Sequence, residues 1–312
     1  MGCYLVTGIA GFIGAAVAEA LLERGHEVTG VDNLSTGRRE RAPARALLFQ
    51  ADCQDGRLYE GILPRRPYDA ILHIAGQSSG EISFDDPVYD LRTNTESTLR
   101  LLRFALDVGC RRFLYASSMS VYGTPETPLV TEDAPARPRS FYGVGKLASE
   151  HYLRLYEEYG VRSTALRLFN VYGEGQNMDN MRQGMVSIYL AMMARDGRIL
   201  VRGSPDRFRD FVHIRDVTDA FLACLDHPES AGRVVNIGGS GRVFVRELVD
   251  KLRALSPAPV EVEYAQGTPG DVFGIAADRS LAAACLGYAP RVTLDQGLAR
   301  MYAWHTAGPG KP

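Results

Sequence analysis

Net charge, cysteine and long apolar runs are all in short supply in this 312-residue sequence. Its 35 lysines and arginines are matched by 37 aspartates and glutamates, leaving a formal charge of −2. So balanced a chain has no electrostatic footprint for nucleic acid or an anionic membrane, and an anionic ligand must be held by local groups. No apolar run approaches the roughly 18 residues of a membrane span. The opening residues, Met1 to Thr7, lack the basic and apolar regions of a secretory leader, which gives the expectation of a cytoplasmic protein. Five cysteines, Cys3, Cys53, Cys110, Cys224 and Cys285, form neither a C-x-x-C pair nor a Cys/His pair at ligand spacing. They read as buried thiols, and no metal site is expected. Internal repeats and low-complexity tracts are also missing.

What is present is an ordinary globular composition, 46% hydrophobic and 23% charged, in a chain roughly twice the 150-residue mode of a single domain. The first half alternates short apolar runs with amphipathic stretches, the pattern of βαβ units. Strands are predicted at 4–7, 28–31, 47–50, 70–74, 113–117 and 164–169. Ile13, Val17, Ala20 and Leu21, and again Leu91, Thr95, Leu99, Leu102 and Leu106, fall at helical spacing and predict helices packed on a sheet. Beyond Asn170 a Gly/Asn-rich stretch at 173–184 leads to a predicted helix at 185–194, a strand at 199–201 and a return to βα pattern at 211–225. A strand at 234–237, a helix at 245–255, a strand at 260–264 and a helix at 294–304 complete the pattern. The fold class is α/β: a Rossmann-type doubly wound parallel sheet with a smaller, interleaved C-terminal α/β lobe. The expected division gives 1–169 with 211–237 to the first unit and 170–210 with 238–304 to the second. The Gly/Pro-rich tail, 305–312, is expected to fray.

Gly8-Ile9-Ala10-Gly11-Phe12-Ile13-Gly14 comes after a predicted strand and opens a helix, and Asp32 ends the next strand. Glycines let a backbone turn tightly and approach a pyrophosphate, whose charge the helix N-terminus stabilises. An acid at the second strand end accepts hydrogen bonds from an adenosine ribose and repels a 2′-phosphate, which favours NAD over NADP. Arg38 and Arg39, a few residues on, leave a 2′-phosphate site open as the alternative.

Tyr142 and Lys146 lie four residues apart, on one face of a helix. A nearby cation is expected to lower the phenol pKa toward working pH, as a general base for an alcohol proton requires. The strand at 113–117 runs into Ser117-Ser118-Met119-Ser120-Val121-Tyr122-Gly123, presenting hydroxyls at the sheet edge where doubly wound folds bind ligands.

With Asp32-Asn33-Leu34-Ser35-Thr36-Gly37, His73-Ile74-Ala75-Gly76, Leu166-Arg167-Leu168-Phe169-Asn170-Val171-Tyr172-Gly173, Arg209-Asp210-Phe211-Val212-His213-Ile214 and Pro269-Gly270-Asp271-Val272, these motifs make the chain resemble an extended short-chain dehydrogenase/reductase of the nucleotide-sugar epimerase/dehydratase family. The resemblance covers nearly the whole chain. It implies an NAD-binding first unit and a second that binds a nucleotide sugar, expected to be UDP-linked. Ser118 resembles the hydroxyl that bonds the reacting sugar oxygen, Tyr142 the base and Lys146 its electrostatic partner. Cofactor contacts are implied for Gly8, Gly11, Phe12, Ile13 and Gly14, for Asp32, Asn33, Ser35, Thr36 and Gly37, and for Asp52 and Cys53 beside the adenine. Ile74, Ala75, Gly76, Gln77, Asn94, Ala116 and Phe169, with Tyr142 and Lys146, are expected to complete that set. Asn170 and Arg209 match groups that hold the substrate diphosphate, with Asp271 near its ribose. Ser78, Met119, Met185, Val186, Leu200 and Arg202 are the remaining expected substrate contacts.

Sugar dehydratases of the family resemble a pattern with Asp-Glu after the catalytic Ser/Thr, and decarboxylases carry Glu at the second position. Here the pair is Met119-Ser120, which disfavours elimination and decarboxylation. The expected reaction is C4 epimerisation of a nucleotide-activated hexose through a transient 4-keto sugar. A 2-epimerase, 4-ketoreductase or 4-dehydrogenase stands as the alternative, and a nonenzymatic NAD(H)-binding protein as a third. Thr268 stands where many relatives carry Arg, Ile275 matches a gate position, and Glu81 is free to meet a sugar hydroxyl or face solvent. Helices near 94–108 and 142–159 are expected to pair across a two-fold axis in a homodimer.

Overall fold

The structure, a computed structural model, describes residues 1–267 and 273–308. In chain order its strands are β1 Cys3–Thr7, β2 Glu27–Asp32, β3 Leu47–Gln50, β4 Ala70–His73, β5 Arg112–Ser118, β6 Leu129–Val130, β7 Arg162–Leu168, β8 Asn170–Tyr172, β9 Arg198–Arg202, β10 Phe208–Arg209, β11 Phe211–His213, β12 Arg233–Ile237, β13 Val243–Phe244, β14 Glu261–Ala265 and β15 Gly274–Ala277. The α-helices are α1 Phe12–Glu23, α2 Pro87–Leu91, α3 Ser97–Asp107, α4 Phe141–Glu157, α5 Met185–Asp196, α6 Ile214–Asp226, α7 Val245–Leu255, α8 Ser280–Leu286 and α9 Leu294–Ala307.

Seven parallel strands form the central sheet in the order β12-β7-β5-β4-β1-β2-β3. Leu5 and Val6 of β1 are both fully buried, as a strand covered on two faces requires. One face packs α1 and α6 through Val17, Leu21, Val217 and Phe221. The other packs α3 and α4 through Leu101, Phe104 and Leu153 against Leu5, Ile71 and Phe113. The chain leaves β1 toward β2 and β3, then returns to β4 on the opposite side, so the switch point lies between the C-terminal ends of β1 and β4. Thr7 pairs with His73 there, and Thr7 Oγ1 lies 2.8 Å from His73 Nδ1. Ligands of such sheets sit outside this crevice.

The smaller lobe buries its own core, including Tyr189, Leu190, Ile199, Leu248 and Leu298. Its four-stranded sheet, β13-β10-β15-β6, draws Leu129 and Val130 out of the segment expected to belong to the first unit. Two further expectations need correction. The helix expected through Leu91 and Leu106 is α2 and α3 joined by a π-helical turn, Arg92–Glu96. A π turn adds a residue to the winding and rotates the helical face beyond it, so α3 buries Leu101, Leu102, Phe104 and Ala105 while Leu91 is 56% exposed. The last helix also runs to Ala307, with Thr306 Oγ1 donating to the Tyr302 carbonyl, three residues into the stretch expected to fray.

Candidate active site

β1 ends in a turn at Gly8, whose φ of +72° is a conformation that favours glycine. A Cβ on Gly14 would stand 2.0 Å from the Gly8 carbonyl oxygen, so the first turn of α1 lies directly on the loop. Gly11 caps α1 without a side chain, leaving the helix N-terminus bare. Asp32, buried at the end of β2, accepts from the Ala10 N–H at 2.9 Å and the Leu34 N–H at 2.8 Å, tying the glycine loop to the next strand. Asn33 donates to Asp52 at 2.8 Å. Arg38 is paired with Asp179 and Arg39 with the Gln50 amide, so both arginines of the alternative NADP reading have protein partners.

A cavity of about 1110 Å³ opens over this loop. Its lining includes Gly8, Gly11, Phe12, Ile13, Gly14, Asp32, Asn33, Ser35, Thr36, Gly37, Asp52 and Cys53, and continues through Ile74, Ala75, Gly76, Gln77 and Ser78. A second cavity, about 250 Å³, shares Phe12, Ile13, Ile74, Gly76 and Ser78 with the first. Asn94 lines neither of them. It lies buried beneath Gly76, its Oδ1 without a hydrogen-bond partner and 2.4 Å from where a Gly76 Cβ would stand. Bare glycines at a helix N-terminus, an acid at the second strand end and this orphaned acceptor fit a dinucleotide.

The smaller cavity holds the expected chemistry. Ser118, Tyr142 and Lys146 line it together with Ala116, Met119, Phe169, Asn170, Met185 and Val186. Ser118 sits at the mouth of a 3-10 turn, its Oγ accepting from the Ser120 N–H at 3.2 Å. Ser140 caps α4 through the Gly143 N–H, which sets the helix that carries Tyr142 and Lys146. Lys146 Nζ donates to the Ala116 carbonyl at 2.9 Å and lies 5.6 Å from the Tyr142 ring centre. Behind them Glu150 accepts from Nε and Nη2 of Arg167 and from the Ser117 hydroxyl, a buried cluster that locks α4 to β5 and β7.

The expected acidification of the phenol is corrected by this geometry. Burial dominates and pushes Tyr142 up to about 12, against the opposing hydrogen bond of Ser118, while the charge of Asp90 adds to the rise. Burial likewise pushes Lys146 down to about 8, against the charges of Asp90 and Glu150. Removing each group from water outweighs the stabilisation its neighbours give the charged form.

Of the expected substrate contacts, Leu200, Arg202 and Arg209 line neither cavity. Leu200 and Arg202 are on β9, paired to β14. Arg209 is buried in β10, its Nη1 donating to the Phe208 carbonyl at 2.7 Å, and burial lowers it to about 10. Thr268 and Asp271 lie outside the described residues. Ile275 is buried in β15 and lines neither cavity, but belongs to the core cluster of Phe169, which lines the smaller one. Glu81 lines neither cavity and pairs with Arg182 at 2.9 Å.

Residues 174–180, with Trp304 and His305 of α9, also line the large cavity, and nothing in the sequence pattern marked them. This strap is tied down by Arg41 to the Gly175 carbonyl, by Arg38 to Asp179, by Arg182 to Glu81 and Asp85, and by Gln183 to Ser78. Its anchors come from two separate segments, 38–41 and 78–85, so only the folded chain brings them together. Among the described residues there is no cluster of three or more His, Cys, Asp or Glu side chains able to hold a metal, and no helix long and apolar enough to cross a membrane.

Comparison with known proteins gives the family and the fold. The sequence model of the NAD dependent epimerase/dehydratase family matches residues 4–238. A UDP-glucose 4-epimerase of Mycolicibacterium smegmatis is 35% identical over 303 residues, 95% of this chain and 96% of that protein. The crystal structure of a UDP-glucose 4-epimerase with UDP-glucose from Thermotoga maritima superposes with a TM-score of 0.93 at 32% identity, covering 98% of this chain and 99% of the other. A Thermus thermophilus UDP-glucose 4-epimerase solved with NAD superposes with a TM-score of 0.87, also at 32% identity, over 98% and 99% of the two chains.

Proposed function

Because the chain belongs to the NAD dependent epimerase/dehydratase family, we propose that it is an NAD-dependent enzyme that inverts C4 of a neutral UDP-hexose. NAD, when bound, supplies a hydride acceptor that oxidises C4 and returns the hydride. The glycine loop and the N-terminus of α1 hold its pyrophosphate, and Asp32 faces its adenosine ribose. Tyr142 takes the proton of the 4-hydroxyl and later gives it back, while Ser118 hydrogen-bonds the same oxygen. Lys146 stabilises the phenolate that forms between the two transfers.

The observation that carries this reading is the lining of the smaller cavity. Among its described residues Lys146 is the one charged side chain, and no carboxylate is present. Beyond the base at the 4-hydroxyl, elimination of water needs an acid for the departing hydroxyl and a base for a carbon-bound proton, and no carboxylate lines the cavity to serve as either. A uronate would need a cation for its carboxylate, and the one cation lining the cavity, Lys146, is the partner of Tyr142 in this reading. Met119 and Met185 give the sugar an apolar, adaptable surround in which it can present either face.

Incubating the purified protein with UDP-, GDP-, CDP- and dTDP-sugars and resolving the products by NMR tests the proposal. Interconversion of C4 epimers of a UDP-hexose, with no net NADH, is the expected result. Stoichiometric NADH accumulation would instead identify a dehydrogenase.

A homodimer goes with the same reading, on a shifted surface. Val88 and Leu91 of α2 and Phe141, Val144 and Leu155 of α4 are exposed, whereas α3 presents no large exposed hydrophobic residue. Burying this α2–α4 face against its own copy would brace the helix that carries Tyr142 and Lys146. Light scattering at micromolar concentration should read twice 34.2 kDa; a fully active monomer would reject the pairing.

A further inference from the structure

Asp90 is a buried carboxylate that takes no part in the proton and hydride transfers at C4. It lies on α2 with 1% of its surface exposed. Gln77 Nε2 and Asn94 Nδ2 both donate to its Oδ1, at 2.9 and 3.2 Å. An ionised carboxylate only accepts, so each amide must turn its NH₂ toward Asp90 and its oxygen away. The Gln77 oxygen then accepts from the Ser79 N–H at 2.5 Å. The Asn94 oxygen is left bare beside Gly76, where a Cβ would also lie 3.5 Å from Lys146 Nζ.

Lys146 has few charged or titratable neighbours. Asp90 on α2 lies against α4 one residue before it, Oδ2 standing 3.6 Å from where a Gly145 Cβ would be, and its charge acts on the ammonium as does that of Glu150 on α4, which also carries Tyr142. Tyr115 on β5 lies with its ring centre 4.7 Å away, and buried His73 on β4 feels its charge. Glu150 is committed to Arg167 on β7. Among the described residues Asp90 is therefore the carboxylate near the ammonium that has no guanidinium partner of its own.

We propose that Asp90 is a positioning residue for the Tyr142–Lys146 pair: its charge keeps the Lys146 ammonium protonated in a site that strips it of water, and its Oδ1 fixes which way Asn94 and Gln77 face. The proposal rests on the reading of Tyr142 and Lys146 as the pair that handles the proton. The same charge works against Tyr142, raising the phenol further. Asp90 thus trades phenol acidity for a cation that is better kept beside it. Burial raises the carboxyl of Asp90 itself, and Gln77, Lys146 and Asn94 pull it back.

Asp90→Asn isolates the charge, because both donors converge on one oxygen and an amide carbonyl can take that place. The chain has three lysines, Lys146, Lys251 and Lys311, so protein grown with [ε-13C]lysine yields three resonances whose titration is read by NMR without substrate. With the opposing charge gone, the Lys146 pKa should fall by about one pH unit. The alkaline limb of the epimerisation profile, where the ammonium is lost, should move down with it. Asp90→Glu should restore both. A Lys146 titration unchanged in Asp90→Asn overturns the proposal, whatever the activity does. Should the Asn variant not fold, Asp90→Ser is read by the same titration with the same two outcomes. If the wild-type protein interconverts no sugar nucleotide, the 4-epimerase reading falls, and the lysine titration still decides the role of Asp90.

Discussion

On the reacting wall of the site, Ser118, Tyr142 and Lys146 expose no more than 8% of their surface, and Ser118 and Lys146 are held by bonds to backbone groups. Across the large cavity, the strap at 174–183 is held through Arg38–Asp179, Arg182–Glu81 and Arg182–Asp85, whose side chains are 43 to 80% exposed. Ion pairs of the second kind contribute little in water and are screened by salt, whereas bonds formed away from solvent are not. The wall therefore carries chemistry that depends on single atoms, and the strap carries a closure that spreads over several weak contacts. Changes on the two sides should differ in size and in salt dependence.

The largest break is expected on the wall. Tyr142→Phe removes one hydroxyl from a buried ring and leaves the glycine loop and Asp32 untouched. Turnover should fall by at least ~10²-fold, the usual worth of a positioned proton carrier, while NAD binding persists. Progress curves by NMR, set beside a fluorescence titration with NAD, check both halves. Near-normal turnover would remove Tyr142 from the chemistry.

The two sides also differ in how far the sequence discloses them. The floor is local: a strand, three glycines, a helix and an acid at the next strand end stand within 32 residues, and each requirement leaves a residue type at a fixed spacing. Tyr142 and Lys146 are one helical turn apart and equally legible. Their protonation is not, because a pKa here depends on burial by segments as distant as Phe169 and Met185, and burial reverses the expected direction for Tyr142. The π turn at Arg92–Glu96 is likewise invisible in apolar spacing that reads equally well as one straight helix. The strap is the least legible part. Arg38, Arg41 and Arg182 meet Asp179, Gly175, Glu81 and Asp85 across roughly a hundred residues of sequence or more, and no periodicity couples them. Arg209 is legible as a motif residue, and the folded chain adds that its strand buries it with Nη1 donating to the Phe208 carbonyl.

The strap gives the smallest and most diagnostic expected effect. Arg182 donates to Glu81 and Asp85 at once, joining the strap to the segment that precedes α2, while Ser79 Oγ and Gln183 Nε2 make uncharged bonds across the same seam. Arg182→Ala removes the charged ties and keeps the uncharged ones. NAD should then dissociate about two- to fivefold faster at low ionic strength, with the difference shrinking in molar salt, because exposed pairs are the ones that salt already weakens. Tyr142→Phe should show no comparable salt dependence, since no exposed pair is touched. Stopped-flow release of NAD across a salt series reads both variants. An Arg182→Ala effect that persists undiminished at high salt would mean that the strap is held by its neutral bonds, and the contrast between the two sides would fail.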